Sequence, residues 1–186
     1  MPDTRENIMD ATFQVLCEEG YAGLSIQDIA DRIDREKSSI YYHFDDKQDL
    51  MLSFLDHMAE QIEKEQCDME DRPPRERLDR LLDMMLGTEE DRWQFQKAFQ
   101  ELKVKAQSDR EFAGKFRKID GRMAENLADL LDELDAEDPE ESAEIVLSLI
   151  EGAVSRKTAT QEKEGLEELR DAIDRTVNEI ISRGSS

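Results

Sequence analysis

The chain has 186 residues, with 47 Asp and Glu against 25 Lys and Arg, for a formal charge of −22. This length suits one domain, or one and a half, with a real core, and no run approaches the 18 apolar residues that a membrane span needs. The hydrophobic fraction is only 38%, but the apolar residues are patterned rather than scattered, which excludes a disordered chain.

The pattern repeats at the helical period of 3.6 throughout, and no segment alternates convincingly at period two. Ile8, Ala11, Thr12, Val15 and Leu16 predict a helix over Thr4 to Glu19, ended by Gly20. Ser25 begins a second helix, with Asp28 three residues on as a capping-box acid and Ile26, Ile29, Ala30 and Ile33 facing inward. Asp34 sits at the break, since Asp tolerates a left-handed turn. A short helix follows from about Lys37 to His43. Asp45 or Asp46 then caps a long helix striped with Leu50, Phe54, Leu55, Met58 and Ile62, which fades near Cys67. Pro73 and Pro74 force a boundary.

Beyond it, Leu78, Leu81, Leu82 and Met85 mark a helix closed by Gly87, and Phe95, Ala98, Phe99 and Leu102 mark another. A long helix carries Phe112, Phe116, Ile119, Met123, Leu127, Leu130, Leu131 and Leu134, and "DAEDPEE" breaks it at Pro139. Helices over about 140–160 and 165–183 complete the chain. The first of these is apolar on two sides, with Ala143, Val146, Leu147, Ile150 and Val154 on one and Ile145, Leu149 and Ala153 on the other. One stripe is enough for one neighbour, so the second stripe predicts another chain. The expected homodimer interface comprises Ile145, Leu149, Gly152, Ala153, Leu169, Ile173 and Val177. The predicted fold is all-α with about nine helices: a three-helix head within 1–50, a connecting helix over about 45–66, and a bundle over 72–186.

The stretch "SSIYYHF" at Ser38–Phe44 cannot all point inward, because neighbours on a helix differ by about 100° in direction. Two short helices joined by a tight break and braced by a preceding helix make a helix-turn-helix, whose second helix lies in the DNA major groove. Ile40 and Phe44, four apart, take the core. Lys37, Ser38, Ser39, Tyr41, Tyr42 and His43 are left to face a duplex, the hydroxyls and Lys37 suiting phosphates and base edges.

An acidic excess this large normally argues against nucleic acid. Here Lys is scarce and the acids are spread evenly, as suits a cytoplasm of concentrated salt. At 1 M salt the Debye length is about 3 Å, so repulsion is screened. The expectation is a halophilic source, and net charge then ceases to veto DNA.

"SIQDIADRIDREKSSIYYHFDDKQDLM", preceded by "RENIMDATFQVLCEEGYAGLS", resembles the DNA-binding signature of TetR-family transcriptional regulators over about the first 50 residues. The resemblance implies a ligand-responsive repressor that binds a palindromic operator as a homodimer. It also implies operator contacts at Ser25, Gln27, Lys37, Ser38, Ser39, Tyr41, Tyr42, His43 and Lys47, with Lys47 on a phosphate. Three positions depart from the family pattern: Asp34 stands for the turn Gly, Arg35 for an apolar residue, and Glu36 for the Ser that commonly caps the recognition helix. Glu36 also repels phosphate. The competing expectation is a TetR-like interaction or DNA-organising protein that does not control transcription.

Met84, Met85, Trp93, Phe95, Phe99, Phe112, Phe116 and Met123 form a soft aromatic set that serves either as core or as an effector pocket, since bundles hold small molecules between helices. Gly114 and Gly121 lie on one helix face and imply either close helix approach or room for a ligand. Residues 97–122 hold eight bases and four acids. They either counterbalance acidic neighbours or receive an anionic, partly apolar effector such as an acyl-coenzyme A.

His43 and His57 lack partners at metal-ligand spacing, so no metal or other cofactor is expected. No phosphate loop or nucleophile motif points to an enzyme. Cys17 and Cys67 read as semi-buried thiols in a reducing cytoplasm, and the polar opening "MPDTRENIMD" is unlike a signal peptide.

Overall fold

A computed structural model describes residues 4–88 and 90–184. The described residues form nine α-helices: α1 Thr4–Gly23, α2 Ile26–Arg32, α3 Lys37–Tyr41, α4 Lys47–Met69, α5 Pro74–Leu86, α6 Glu90–Ala106, α7 Arg110–Glu133, α8 Pro139–Thr160 and α9 Leu166–Gly184. None is long and apolar enough to cross a membrane. The chain divides into two compact units, one of Met1–Glu63 with Lys97–Arg117 and the other of Lys64–Gln96 with Lys118–Ser186. The unit that holds the helix-turn-helix therefore includes a segment nearly fifty residues beyond the 1–50 head expected from sequence.

In the first unit the inward stripes hold except at Ile33 and Met58, which are half-buried. Ile8, Leu16, Ile29, Ile40, Leu50 and Phe54 are all fully buried. Ser25 caps α2 as a reciprocal box, its hydroxyl accepting from the Asp28 N–H at 3.3 Å while Asp28 Oδ2 accepts from the Ser25 N–H at 3.2 Å. Asp46 Oδ1 accepts from the Asp49 N–H at 2.9 Å and so caps α4. Gly20 does break α1, at φ 69°, but the chain recovers a further turn through Gly23. The third helix is shorter than expected: it ends at Tyr41, and Tyr42 and His43 lie in the turn after it.

In the second unit a core cluster joins Leu78, Leu82 and Leu86 of α5, Leu127, Leu130 and Leu131 of α7, Ala143, Val146, Ile150 and Val154 of α8, and Ile173 and Val177 of α9. Several residues expected at the dimer interface lie in or against this core. Ile173 and Val177 are buried inside the subunit's own core, with Leu169 packed on its edge, because α9 has a single apolar stripe and α5 and α8 already cover it. Ala153 is also buried, whereas Ile145 and Leu149 on the second side of α8 remain exposed. Charged side chains reinforce the α5–α9 contact: Arg170 reaches Asp83 at 2.7 Å and Asp79 at 3.1 Å.

Gly114 and Gly121 serve no close helix approach. A Cβ at Gly121 would meet nothing within 4 Å, and one at Gly114 only the tip of Arg117 at 3.8 Å. Cys17 is half-buried, and the Cys67 side chain lies outside the described residues. His57 contacts Gln61 at 3.4 Å, and among the described residues no group of three His, Cys, Asp or Glu is placed to hold a metal.

Candidate nucleic-acid interface

The turn between α2 and α3 is made by Asp34 at φ 51°, which brings the Arg35 N–H back onto the Ala30 carbonyl at 3.0 Å. Arg32 braces α2 against α1 through Glu18 and Gln14, with Nη1 at 2.9 and 3.2 Å from their oxygens. The hydrogen bond from that guanidinium holds the Glu18 carboxyl below its ordinary pKa. With the two helices fixed, Ile40 and Phe44 anchor α3 from beneath at 0% and 3% exposure.

What α3 leaves outside is aromatic and polar. Tyr42 is 85% exposed and Tyr41 52%. They are two of the five large hydrophobic side chains exposed among the described residues. His43 is also exposed and packs edge-on against Tyr42, with centroids 5.2 Å apart. Lys37 and Ser38 are exposed beside them and Ser39 is half-buried. These residues share one end of the helix-turn-helix, where hydroxyls, an imidazole and an ammonium can serve phosphates and base edges. Glu36 occupies the N-cap position of α3 without a side-chain capping bond; its carboxylate instead lies 3.4 Å from the Ser38 hydroxyl.

Three other expected contacts have intramolecular duties. Ser25 is committed to the α2 cap. Gln27 is exposed but donates to Asp31 Oδ1 at 2.5 Å. Lys47 opens α4 and donates to the carbonyls of Tyr21 and Leu24, both at 2.7 Å, with its ammonium 4.6 Å from the Tyr21 ring centroid. Burial pushes the Lys47 pKa down from its ordinary value. Two of its three hydrogens are thus used to hold the end of α1, which sequence reasoning did not foresee.

The expected effector residues fall in both units. In the first, Phe112 is fully buried and Phe116 nearly so; Phe99 meets Phe116 at 5.0 Å between centroids, with Lys103 Nζ 5.9 and 5.8 Å from the two rings. In the second, Trp93 is 4% exposed, Met85 packs on the α5–α9 core, and Phe95 and Met123 are half-buried. Part of the basic segment is locally neutralised, Lys105 by Asp109 at 3.1 Å and Lys115 by Asp56 at 2.5 Å.

Known proteins match both the N-terminal and the C-terminal region of the chain. Residues 8–54 match the bacterial regulatory proteins of the tetR family, and residues 74–182 match the C-terminal region of BetI-type transcriptional repressors. A curated relative, an uncharacterised HTH-type transcriptional regulator of Lactococcus lactis, is 40% identical over 55 residues, 30% of this chain and 28% of the relative. The chain thus aligns with little more than a quarter of that relative's length. The crystal structure of a TetR transcription regulator from Haloarcula marismortui superposes with a TM-score of 0.82 at 29% identity, covering 97% of this chain and 99% of that one. Two further structures share the fold. A transcriptional regulator of Saccharomonospora viridis, solved with choline, has a TM-score of 0.78 at 19% identity over 96% and 97% of the chains. FadR of Bacillus subtilis, solved with stearoyl-CoA, has a TM-score of 0.69 at 20% identity over 92% and 96%. With both its helix-turn-helix and more than half of its length matched in this way, the chain belongs to the TetR family of transcriptional regulators.

Proposed function

We propose that the protein is a repressor that binds a palindromic operator as a homodimer and releases it when a small effector binds. The observation that carries this reading is the exposure of Tyr41, at the end of the recognition helix, and of Tyr42 and His43 in the turn after it, over a buried Ile40 and Phe44. Burying two tyrosine rings against a duplex removes their apolar faces from water while their hydroxyls take phosphates. Lys37 and Ser39, nearer the start of α3, supply base-edge contacts. Two-fold symmetry pairs α8 of one subunit with its copy through Ile145 and Leu149, so that two recognition helices address successive major grooves about 34 Å apart.

The effector acts among Phe99, Phe112 and Phe116. Lys103 beside these rings favours an anionic, partly apolar compound, a chemistry that stearoyl-CoA on FadR exemplifies and choline on the Saccharomonospora protein opposes. The even acidic surface suits binding in concentrated salt, where repulsion between it and DNA is screened. Selection from a random duplex library at molar potassium chloride tests the reading. The expected result is enrichment of inverted repeats whose half-sites are centred about one helical turn, or a small multiple of it, apart; recovery of no preferred sequence overturns it.

A further inference from the structure

The start of α4 and the start of α2 meet at one short turn, Gly20–Leu24, and that turn is held from outside by a residue far along the chain. At Gly20 the backbone turns to φ 69° and ψ 175°, interrupting α1. The amides that follow begin a new turn of helix and so have no carbonyl four residues behind them. Glu101 of α6 supplies the acceptor. Its Oε2 receives the Tyr21 N–H at 2.7 Å and the Ala22 N–H at 3.4 Å, across 80 and 79 residues of sequence. Its other oxygen occupies the space that a side chain at position 20 would need, 2.9 Å from a Cβ built there. Gly20 is thus fitted both to the left-handed turn and to the carboxylate.

The carbonyls of the same turn are held from the α4 side. Lys47 donates to Tyr21 O and Leu24 O. Ser25, the residue after Leu24, caps α2. Glu101 and Lys47 therefore grip the amides and the carbonyls of one turn, and that turn sets where α2 and α4, the helices on either side of α3, begin. The Glu101 carboxylate hydrogen-bonds this turn. Tyr21 also meets Phe112 edge-on, with centroids 6.3 Å apart, and Glu101 lies on α6 between Phe99 and Lys103.

We propose that Glu101 is a positioning residue for DNA recognition: its carboxylate caps the broken end of α1 and thereby fixes the register of α2 and α4 around the recognition helix. This rests on the reading of Tyr41–His43 as a DNA-binding surface.

The test compares Glu101→Ala and Glu101→Gln with wild type on a duplex that wild type has enriched from the random library. The amide oxygen of Gln can accept both N–H groups, so Glu101→Gln should bind within about twofold of wild type. Glu101→Ala should bind about tenfold more weakly. In the DNA-free protein, hydrogen exchange at the Tyr21 and Ala22 amides should quicken at least tenfold in Glu101→Ala and stay near wild type in Glu101→Gln. Wild-type DNA affinity in Glu101→Ala overturns the proposal, as does unchanged exchange at those two amides. A Gln variant as weak as the Ala variant also overturns it, since charge rather than the acceptor would then act. Failure of wild type to enrich any duplex is a different result: it removes the DNA-binding reading, while the exchange rates still report whether Glu101 holds the turn.

Discussion

Leu149→Asp should convert a dimer into a monomer and abolish tight operator binding. Leu149 and Ile145 are 47% and 48% exposed on α8, one turn apart on a face that the subunit's own core does not cover. Full burial of a Leu or Ile side chain contributes about 1.5–3 kcal/mol, and a two-fold interface uses each residue twice. Placing a carboxylate at both copies removes that gain and sets two like charges together in a desolvated patch. The operator then loses more than the interface contacts. A dimer binds its second half-site as an intramolecular event, an advantage of about 10²–10⁴, so DNA affinity should fall at least about a hundredfold. Sedimentation at micromolar concentration and anisotropy on an enriched duplex read the two effects. A dimeric Leu149→Asp protein would place the interface on another face.

Arg170→Ala should be the most destabilising single change among the charged residues of the second unit. The Arg170 side chain is 14% exposed. It pairs with Asp83 at 2.7 Å, Asp79 at 3.1 Å and Asp174 at 3.4 Å, and Arg75 joins the same network through Asp79 and Asp174. Removing one member of a fully buried pair costs about 3–5 kcal/mol because its partner is stranded. The three carboxylates here keep between 31% and 53% exposure, so water takes back part of that cost and about 2 kcal/mol is expected. In a chain of this length that lowers the melting temperature by about 6 °C. Arg170→Lys should recover part of the loss, since an ammonium keeps the charge but not the fork that reaches several acids at once. A melting temperature unchanged by Arg170→Ala would mean the network is solvated and contributes nothing.

Periodicity is a local signal, and it located the helices because each apolar stripe had to be buried somewhere. Ile40 and Phe44 were legible as anchors from their spacing alone, and that spacing left Tyr41 and Tyr42 outside. Asp34 was legible because few residues other than Gly accept its backbone angles. A stripe does not say which surface it meets. Ile173 and Val177 were expected to face a partner, yet they complete the core made by α5, α7 and α8. The same limit hid Glu101 and the second role of Lys47. No spacing rule links position 101 to the amides of Tyr21 and Ala22, and a lysine at a helix start reads as a phosphate contact until two carbonyls are found beneath it. The glycines of α7 remain without a packing reason, since Gly121 faces open space.

The central claim is that the exposed end of the helix-turn-helix is the DNA-binding surface. Its most direct test is the affinity of the Tyr41→Ala/Tyr42→Ala protein for a duplex enriched by wild type, measured by fluorescence anisotropy across a range of potassium chloride concentrations. Both rings are exposed in the free subunit, so the double variant should keep the wild-type melting temperature to within about 2 °C, surface changes being worth about 0.5 kcal/mol or less. Its affinity should fall about thirtyfold or more. The loss should extend to non-specific duplexes, because phosphate contacts carry no base information, and it should persist in salt concentrations at which wild type still binds. Wild-type affinity of the folded double variant for every duplex tested would contradict the claim and move the DNA-binding surface elsewhere on the molecule.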